Sequence, residues 1–463
     1  MVFPFFKKCK YNEGMYTWQD FIKITNESDL REFVLEVIDS HKGSSLYKYA
    51  KEADLYDKQK NVTINEYTKK IYKLSGEPVV DFTSSNAKIA SNFFHRLNVQ
   101  RCTYSLGNGV TFSKDGIKEK LGSDFDIRFK KAGYNAIIHG LTFLFWNVDK
   151  FYNFKITEFA PLFDEFSGKL MAGVRFWQLD DDKPMIISLY EPDGFREWSY
   201  YNGEFTVRQE KVGYKKIRNS VAGKEISVTY DNYGKLPIVP FYGSTLHQST
   251  LVGMKSAIDN YDLINSGFAN DLSDCAQIYW LLSGCEGMTS KDLAQFRDRL
   301  MLTHIASVPD DGVKIDAHTQ EIPYQARITL LQNLRKQIYE DFGAFDVSNI
   351  SSGAKTATEI KASYQPLDEN ADDFEFQCAE AIRDLQELAG IEVETPIFKR
   401  NVMANESETV NMVVLESQFL DTETVLKKLP NISPEEIPEI MRKKAIEDKW
   451  TPSDEEEVVN EEG

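Results

Sequence analysis

A long run of helical periodicity in the second half of the chain constrains the fold more than any other sequence feature. Between Leu251 and Leu282, apolar residues recur at steps of three or four, and the stretch contains no proline. This spacing places them along one face of an α-helix. At about 1.5 Å per residue, the pattern predicts a rod of roughly 45–50 Å, far longer than an average globular helix.

The opposite side of this predicted helix carries carboxylates and amides, including Asp259 and Asp262. Polar residues opposite an apolar stripe are typical of a solvated helix face. We therefore interpret Asp259 and Asp262 as a wet face, unless other evidence places them beside a partner.

The segments before the long helix differ in texture. About the first 120 residues are mainly helical in pattern, with amphipathic stretches at Asp29–Ile38 and Ile89–Leu97. From about Leu141, runs rich in aromatic and branched residues predict strands. These runs are Leu141–Trp146, Leu170–Leu179, Pro184–Tyr190 and Pro237–Tyr242. Asn202-Gly203 lies between two such runs and predicts a two-residue hairpin turn, because both residues tolerate positive φ.

Further elements follow the long helix. Lys291–Met301 is helical in pattern, and Asp311-Gly312 predicts a hairpin. A second helix is predicted for Tyr324–Phe342, followed by a flexible polar loop at Gly343–Lys355.

A third long helix is predicted to begin with the capping pair Thr356 and Glu359. Pro366 should kink this helix, and Gly390 should end it.

Charge and cysteine content limit the classes of protein. The chain has 463 residues and a net charge of −18, and the residues from Val402 onward contribute −10 of it. Such a chain is repelled by DNA and by anionic membranes unless basic residues are concentrated locally. No apolar run is long enough to span a bilayer. The five cysteines are dispersed, so neither a disulfide framework nor a zinc site is predicted.

Signatures of catalysis and cofactor binding are missing from the sequence. Ser352-Gly353-Ala354-Lys355-Thr356 is similar to the end of a phosphate-binding loop, but Ala354 separates the glycine from the lysine that the loop requires to be adjacent. Asp180-Asp181-Asp182 would suit a metal, although a solvated turn between strands is the interpretation we favour. We predict no enzyme activity, no metal and no cofactor.

The order of the segments carries a resemblance to a known family. A β-rich region ends at Leu236–Tyr242, and the long helix that follows contains Ile258–Asp262 and Asn265–Asp271. A small α/β excursion, a returning helix, a polar loop, a kinked helix and an acidic helical end complete the series. Phe398–Asn401 and Asn405–Glu408 lie where the last part begins. Over about residues 86–448, this series resembles the portal proteins of long-tailed bacteriophages of Gram-positive hosts.

The resemblance implies an α+β portal fold with an α/β wing, a two-helix stem, a small α/β clip, a long kinked spine helix and an α-helical crown. The implied segments are the wing at 1–250 (helical to about 135, β-rich from about 136), stem helices at 251–283 and 324–342, the clip at 284–323, the tunnel loop at 343–355, the spine helix at 356–390, the crown at 391–452 and a disordered acidic tail at 453–463.

The resemblance also implies a function and a set of partners. A ring of about twelve subunits would form the conduit for double-stranded DNA at one capsid vertex, in the virion, after assembly in the host cytoplasm. Its implied partners are the terminase large subunit, a neck adaptor, and the major capsid and scaffold proteins, with no membrane. The alternative is another structural virion protein, either a different head–tail connector or a minor capsid protein. An enzyme is the third possibility.

Candidate functional residues follow from this mapping. Those for the DNA channel are Asn349, Ser351, Ser352, Gly353, Lys355, Lys361, Asp259 and Asp262. Phe296 and Arg299 are the candidates for a docking surface on the clip, with internal packing as the alternative for both. Lys355 and Lys361 are the cations expected to touch phosphates, and a merely solvated lysine is the alternative for Lys355.

Overall fold

Helical and strand-rich regions occupy separate parts of this chain, as the α+β prediction requires. The structure is a computed structural model. It describes residues 15–73, 75–82, 84–114, 116–221, 224–274, 279–283, 289–303, 314–318, 323–349, 357–401, 413–429, 432 and 437–447. The chain divides into two units, which are Met1–Gly353 with Ala362–Arg400, and Ala354–Lys361 with Asn401–Gly463.

The helices vary in length from one turn to about nine. They are α1 (Trp18–Phe21), α2 (Glu27–Gly43), α3 (Ser45–Asp57), α4 (Val62–Glu66), α5 (Phe93–Leu106), α6 (Ile117–Leu121), α7 (Phe125–His139), α8 (Leu251–Asp274), α9 (Ser290–Thr303), α10 (Tyr324–Phe342), α11 (Ala357–Ala389), α12 (Thr422–Lys428) and α13 (Ile437–Glu447).

The strands pair in antiparallel fashion. They are β1 (Lys70–Tyr72), β2 (Pro78–Val80), β3 (Val110–Thr111), β4 (Leu141–Asn147), β5 (Lys150–Lys155), β6 (Phe159–Phe163), β7 (Leu170–Trp177), β8 (Met185–Glu191), β9 (Gly194–Tyr201), β10 (Glu204–Val212), β11 (Lys215–Val221), β12 (Lys224–Asp231), β13 (Ile238–Tyr242), β14 (Tyr279–Ser283), β15 (Lys314–His318) and β16 (Ile397–Phe398).

The larger sheets are a five-stranded meander, in the order β10-β9-β8-β7-β6, and a three-stranded sheet, in the order β13-β4-β5. Asn202 and Gly203 connect β9 to β10 with φ values of 50° and 85°. Positive φ at both positions is what a two-residue hairpin turn of this kind needs. The predicted turn is confirmed.

Helix α2 covers the five-stranded sheet. Asn26 caps its start by accepting a hydrogen bond from the backbone N–H of Asp29 at 2.8 Å. Leu30, Phe33, Val34, Val37 and Ile38 are buried against inward-facing sheet residues that include Trp198. The amphipathic pattern at Asp29–Ile38 therefore predicted this helix and its buried face correctly.

A second core surrounds helix α7. Phe129 stacks on Phe241 of β13 with ring centroids 5.2 Å apart, and Phe241 stacks on Phe374 of α11 at 6.3 Å. These rings join a helix, a sheet and the long helix α11 in one apolar cluster. Such aromatic contacts bury a large area and prefer offset or edge geometries.

The long helix is shorter than predicted. Helix α8 ends at Asp274, so its 24 residues extend about 36 Å. Tyr279–Ser283 forms strand β14, paired with Lys314–His318. The prediction that the helix continues to residue 283 is wrong, because a short apolar run with aromatic residues fits a strand as well as a helix and its partner strand decides.

Other boundaries also needed the structure. The stretch Ile89–Leu97 is not one helix, since α5 begins at Phe93 and residues 87–91 are not helical. Helix α11 is continuous through Pro366 and is followed by Gly390 with a φ of 67°, as a helix end prefers. The hairpin predicted at Asp311-Gly312 falls in 304–313, which the structure does not describe.

The unit containing the C-terminal residues is helical where it is described. Asp421 caps α12 by accepting from the backbone N–H of Thr424 at 3.0 Å, and Lys428 pairs with Glu416 at 2.7 Å. Val413 and Ile437 are buried. These residues are helical, as predicted for the C-terminal part of the chain, but the acidic excess predicted there falls on residues outside the described ones, as does the tail at 453–463.

The last turn of α2 holds a buried histidine. His41 is 1% exposed, and its Nε2 donates to the carbonyl oxygen of Ile156 at 2.7 Å. Burial lowers the pKa of His41 from 6.5 to about 4, although the Ile156 carbonyl opposes that shift. A histidine with a lowered pKa stabilises the fold above its unfolded pKa, and this stability is lost as pH falls towards the folded pKa.

The free energy of unfolding of the full chain should therefore fall by up to about 3 kcal/mol between pH 6.5 and pH 4 on account of His41. The variant His41→Gln retains an amide that can donate to Ile156 but cannot gain a proton, so its decline over this range should be shallower. Urea unfolding of both proteins across the range measures the difference. Parallel pH profiles for the two proteins would contradict the assignment.

Candidate functional site

The segment that follows α10 is anchored where the sequence predicted a flexible loop. Helix α10 ends at Phe342, the following Gly343 turns the chain with a φ of 65°, and a short 3-10 turn occupies Val347–Asn349. Gln100 of α5 holds the backbone of Phe345 from both sides. Its Oε1 accepts from the Phe345 N–H at 3.1 Å, and its Nε2 donates to the Phe345 carbonyl at 2.9 Å. The base of the predicted loop is therefore fixed.

Aromatic stacking strengthens this anchor. Phe345 is 4% exposed, and its ring stacks on Tyr364 of α11 with centroids 4.1 Å apart. Tyr364 in turn stacks on Tyr104 of α5 at 6.0 Å. The loop base is thus attached to two different helices by three consecutive rings.

A cavity of about 270 Å³ lies beside the loop base. Its lining is Arg96, Leu97, Gln100, Arg335, Tyr339, Phe345, Asp346, Val347 and Ser348. Arg335 pairs with Asp346 at 2.9 Å and donates to Ser348 at 3.2 Å, while Arg96 donates to the hydroxyl of Tyr339 at 3.4 Å. Two guanidinium groups, partly neutralised by one carboxylate, therefore face this space.

Asp259 and Asp262 do not form a solvated face. Asp262 is 0% exposed; its Oδ1 accepts from the Ser91 N–H at 2.9 Å, and Asn61 donates to its other oxygen. Asp259 accepts from Thr63 Oγ1 at 2.6 Å and from the hydroxyl of Tyr56. The prediction of a wet face is wrong, because the N-terminal part of the chain packs over this side of α8.

The contacts continue along α8 at regular spacing. The backbone N–H groups of Ile89 and Ala87 donate to Ser266 Oγ at 2.9 Å and to Asn270 Oδ1 at 2.6 Å. We call residues 87–91 the strap. Alternate residues of an extended chain advance about 6.6 Å, close to the roughly 6 Å between residues four apart on a helix. The strap therefore runs antiparallel to α8 and bonds to it once per turn.

Asp262, the first of these acceptors along α8, is a carboxylate whose pKa is affected by burial. Removal from water raises the pKa of Asp262, although the hydrogen bonds from Asn61 and Ser91 oppose the shift. Two donors aimed at a buried carboxylate offset much of the cost of burying it. Asp262 is thus a structural acceptor in this chain.

A second polar cluster joins Arg400, at the end of the first of the two units, to helix α11. Arg400 donates from Nη1 to Asp368 at 2.9 Å and from Nε and Nη2 to Glu375 at 3.1 and 2.8 Å, and it also pairs with Asp372. The hydrogen bonds to Glu375 and the other carboxylates raise the pKa of Arg400 above its ordinary value. Tyr104 also donates to Asp368, at 2.7 Å, so this cluster contacts the ring stack that anchors Phe345.

The remaining predicted residues are placed as follows. Lys361 is exposed in the first turns of α11, and Asn349 ends the 3-10 turn. Ser351, Ser352, Gly353 and Lys355 belong to 350–356, outside the described residues. Phe296 of α9 is 8% exposed, which favours the alternative of internal packing over a docking role. The backbone of Arg299 belongs to α9, but its side chain is among those not described.

Sequence reasoning missed Gln100, Arg335, Arg400 and the strap. Of these, only the role of Arg400 could have been inferred from the sequence. Its partners Asp368, Asp372 and Glu375 are spaced by four and three residues, so they share one helix face. Gln100 bonds to the backbone of Phe345, and the strap bonds through its own backbone N–H groups. Backbone groups are nearly the same for every residue type, so no sequence pattern reveals these contacts.

A metal-binding group and a membrane-spanning helix are both missing from the described ranges. They contain no group of three or more histidine, cysteine or acidic residues that could hold a metal ion. No helix in them is long and apolar enough to cross a membrane. Asp180–Asp182 is an exposed turn between β7 and β8, as favoured from the sequence.

Replacing the buried acceptor tests the strap contact. Asp262→Ala removes the acceptor of the Ser91 N–H and one of the two acceptors of the Asn61 amide, so the free energy of unfolding should fall by about 2–5 kcal/mol. Asp262→Asn keeps one acceptor oxygen and should fall by less. Urea unfolding of the full chain measures both.

Asn260→Ala provides the matched control. Asn260 is exposed on α8 and bonds only to the Ser256 carbonyl within its own helix among the contacts described, so the change should cost less than about 1 kcal/mol. Equal losses for Asp262→Ala and Asn260→Ala would contradict a buried, bonded carboxylate.

Comparison with known proteins gives a consistent result over most of the chain. Residues 36–449 match the family of phage portal proteins described as SPP1 Gp6-like. The portal protein of Clostridium phage phiCD119 is 26% identical over 380 residues, covering 75% of this chain and 82% of that protein. The portal protein of Bacillus phage SPP1 is 24% identical over 365 residues, covering 72% and 67%.

Similar solved structures include chains of gene transfer agent particles. A chain from the neck of the native particle, determined with C12 symmetry, has a TM-score of 0.43 and 11% identity, covering 74% of this chain and 91% of that one. A chain of the native virion has a TM-score of 0.42 and 10% identity, covering 74% and 90%.

The family match extends from α2 to the end of the described residues and includes the strap, α8, α10 and α11. Both phage relatives infect Gram-positive hosts, as the sequence resemblance implied. The chain belongs to the SPP1 Gp6-like family of phage portal proteins.

Proposed function

We propose that this chain is the subunit of a portal ring of about twelve copies, which forms the DNA conduit at one vertex of a phage capsid. The observation that carries the proposal is the family match over residues 36–449. The role is structural and requires no catalytic residue. Another head–tail connector or minor capsid protein is the alternative.

The paired helices α8 and α10 support assembly into a ring. Beyond the part buried against α3 and α5, this pair leaves Leu272 54%, Tyr324 59% and Leu330 45% exposed. Large apolar side chains exposed together on one pair of helices are the residues that an interface between subunits would cover. Identical subunits joined head to tail must close into a ring or continue as a filament.

The charge of the chain suits a conduit through which DNA slides. Each phosphate neutralised by a lysine or arginine adds to the retention of DNA. A net charge of −18 per subunit keeps such retention weak. In this proposal Lys361, Lys355 and the polar residues Asn349–Gly353 supply transient contacts to the DNA.

The remaining roles extend the proposal along the chain. Residues 284–323, the clip, dock the terminase motor during packaging and a neck adaptor afterwards. Residues 1–250 serve as the wing among the major capsid and scaffold proteins, and 391–452 as the crown. The assembled particle then admits DNA during packaging and releases it during ejection.

Electron microscopy of the purified full chain tests the ring directly. End-on views should show particles of about twelve subunits around a central hole. The purified protein should not hydrolyse ATP. A compact monomer at micromolar concentration would contradict the proposal.

Deletion of Asn349–Gly353 tests the loop. Because the deleted residues lie beyond the anchor at Phe345, ring assembly should persist while the amount of packaged DNA falls. Assembly is measured by mass photometry and packaging by nuclease-protected DNA per capsid.

A triple change of Asp180, Asp181 and Asp182 to alanine is the matched control, since that turn is exposed and lies in the β-rich region. It should leave both measurements unchanged. Loss of the ring in the loop deletion would show that 343–355 has a different role.

A further inference from the structure

A small hairpin near the N-terminus is exposed on its own. Strands β1 and β2 pair with each other and with no other described strand, and Asp81 extends the pairing by donating its N–H to Lys69 at 2.9 Å. We call residues 69–82 the arm. A two-stranded hairpin without a covering layer is at best marginally stable in water. The described residues of both strands of the arm are therefore largely exposed to solvent.

The arm also presents large apolar side chains to solvent. Ile71 is 48%, Tyr72 73%, Val80 37% and Phe82 88% exposed. Single exposed apolar residues are common on proteins, but four within one short segment mark a contact surface.

The strap fixes where the arm is attached. Because the strap runs antiparallel to α8, its N-terminal end lies beside Asn270, near the C-terminal end of that helix. The arm precedes this point in the chain. Its attachment is therefore at the same end of the α8–α10 pair as Asp271, which pairs with Arg327 of α10.

That end of the helix pair has uncovered apolar residues of its own. Leu272 of α8 and Tyr324 and Ile328 of α10 are 54%, 59% and 37% exposed. Since the arm and this helix surface are both exposed in one chain, the arm does not cover the helices of its own subunit. The arm and this helix surface are thus two different exposed surfaces at the same end of the α8–α10 pair. Two such surfaces suit a head-to-tail contact between identical copies.

We propose that the arm of one copy docks on the exposed end of the α8–α10 pair of the next copy. The inference rests on the proposed ring and names one of its interfaces. The aromatic rings of Tyr72 and Phe82 supply the buried contact, as such residues do at the centres of interfaces. The arm holds three lysines, at 69, 70 and 73, against Glu77 and Asp81, and Lys73 pairs with Glu77 at 3.8 Å. Its net charge of +1 on a chain whose net charge is −18 means that another copy offers opposite charge.

Photo-crosslinking in mixed rings tests the contact. Phe82→p-benzoylphenylalanine is introduced into the full chain, and rings are assembled from isotopically heavy and light subunits in equal amounts. Irradiation should join residue 82 to a peptide from 251–274 or 324–342, and light–heavy pairs should occur among the products. Mass spectrometry identifies the peptides and their isotopes.

Phe166→p-benzoylphenylalanine is the matched control, because Phe166 is 77% exposed in the turn between β6 and β7. It should give no crosslink to those two helices. Products from Phe82 that join only light to light and heavy to heavy would overturn the inference, as would crosslinks from residue 82 to peptides outside those two helices alone.

A double change provides an independent measurement. Tyr72→Glu with Phe82→Glu should raise the subunit concentration at which half of the protein is assembled by at least about tenfold. Because both side chains are outside the cores, the urea midpoint of the unassembled chain should stay the same. Unchanged assembly in this variant would overturn the arm contact while leaving the ring intact. Failure of the wild-type chain to form rings would instead refute the proposed function.

Discussion

Buried polar groups on helix α8 must find hydrogen-bond partners, and this requirement organises much of the molecule. Asp262, Ser266 and Asn270 are removed from water, so each would cost free energy if its acceptor were left unpaired. The chain meets the requirement with the backbone of residues 87–91, which runs along the helix in register. That contact binds the N-terminal helices to α8 and determines where the exposed arm leaves the body of the subunit.

The segment that follows α10 is held by aromatic stacking and by hydrogen bonds from side chains. Gln100 and the stacked rings of Phe345, Tyr364 and Tyr104 hold the start of the 343–355 segment. Arg400 and the carboxylates of α11 then hold the last residues of the same unit, with Asp368 shared between Arg400 and Tyr104. The described start of that segment is therefore held in place by residues of α5 and α11.

Local sequence patterns predicted much of the architecture. The period of α2, the strands at Leu141–Trp146 and Pro237–Tyr242, the Asn202-Gly203 turn and the helices α10 and α11 all depend on residues close together in the chain. The ordered series of segments was enough to indicate the portal family, which the match over residues 36–449 confirms. The roles proposed for Lys361, Asn349 and the neighbouring loop residues stay predictions.

The sequence by itself determined most of the helices and strands and indicated the family, because periodicity, turn residues and segment order can be read directly along the chain. Only the tertiary structure decided that Asp262 is buried and Asp259 half-buried, since their partners lie about 170–200 residues away and one of them is a backbone N–H. It also decided that α8 ends at Asp274, because Tyr279–Ser283 becomes a strand through pairing with Lys314–His318. A pattern of side-chain types predicts which face of an element is polar, but what covers that face depends on how distant parts of the chain pack together.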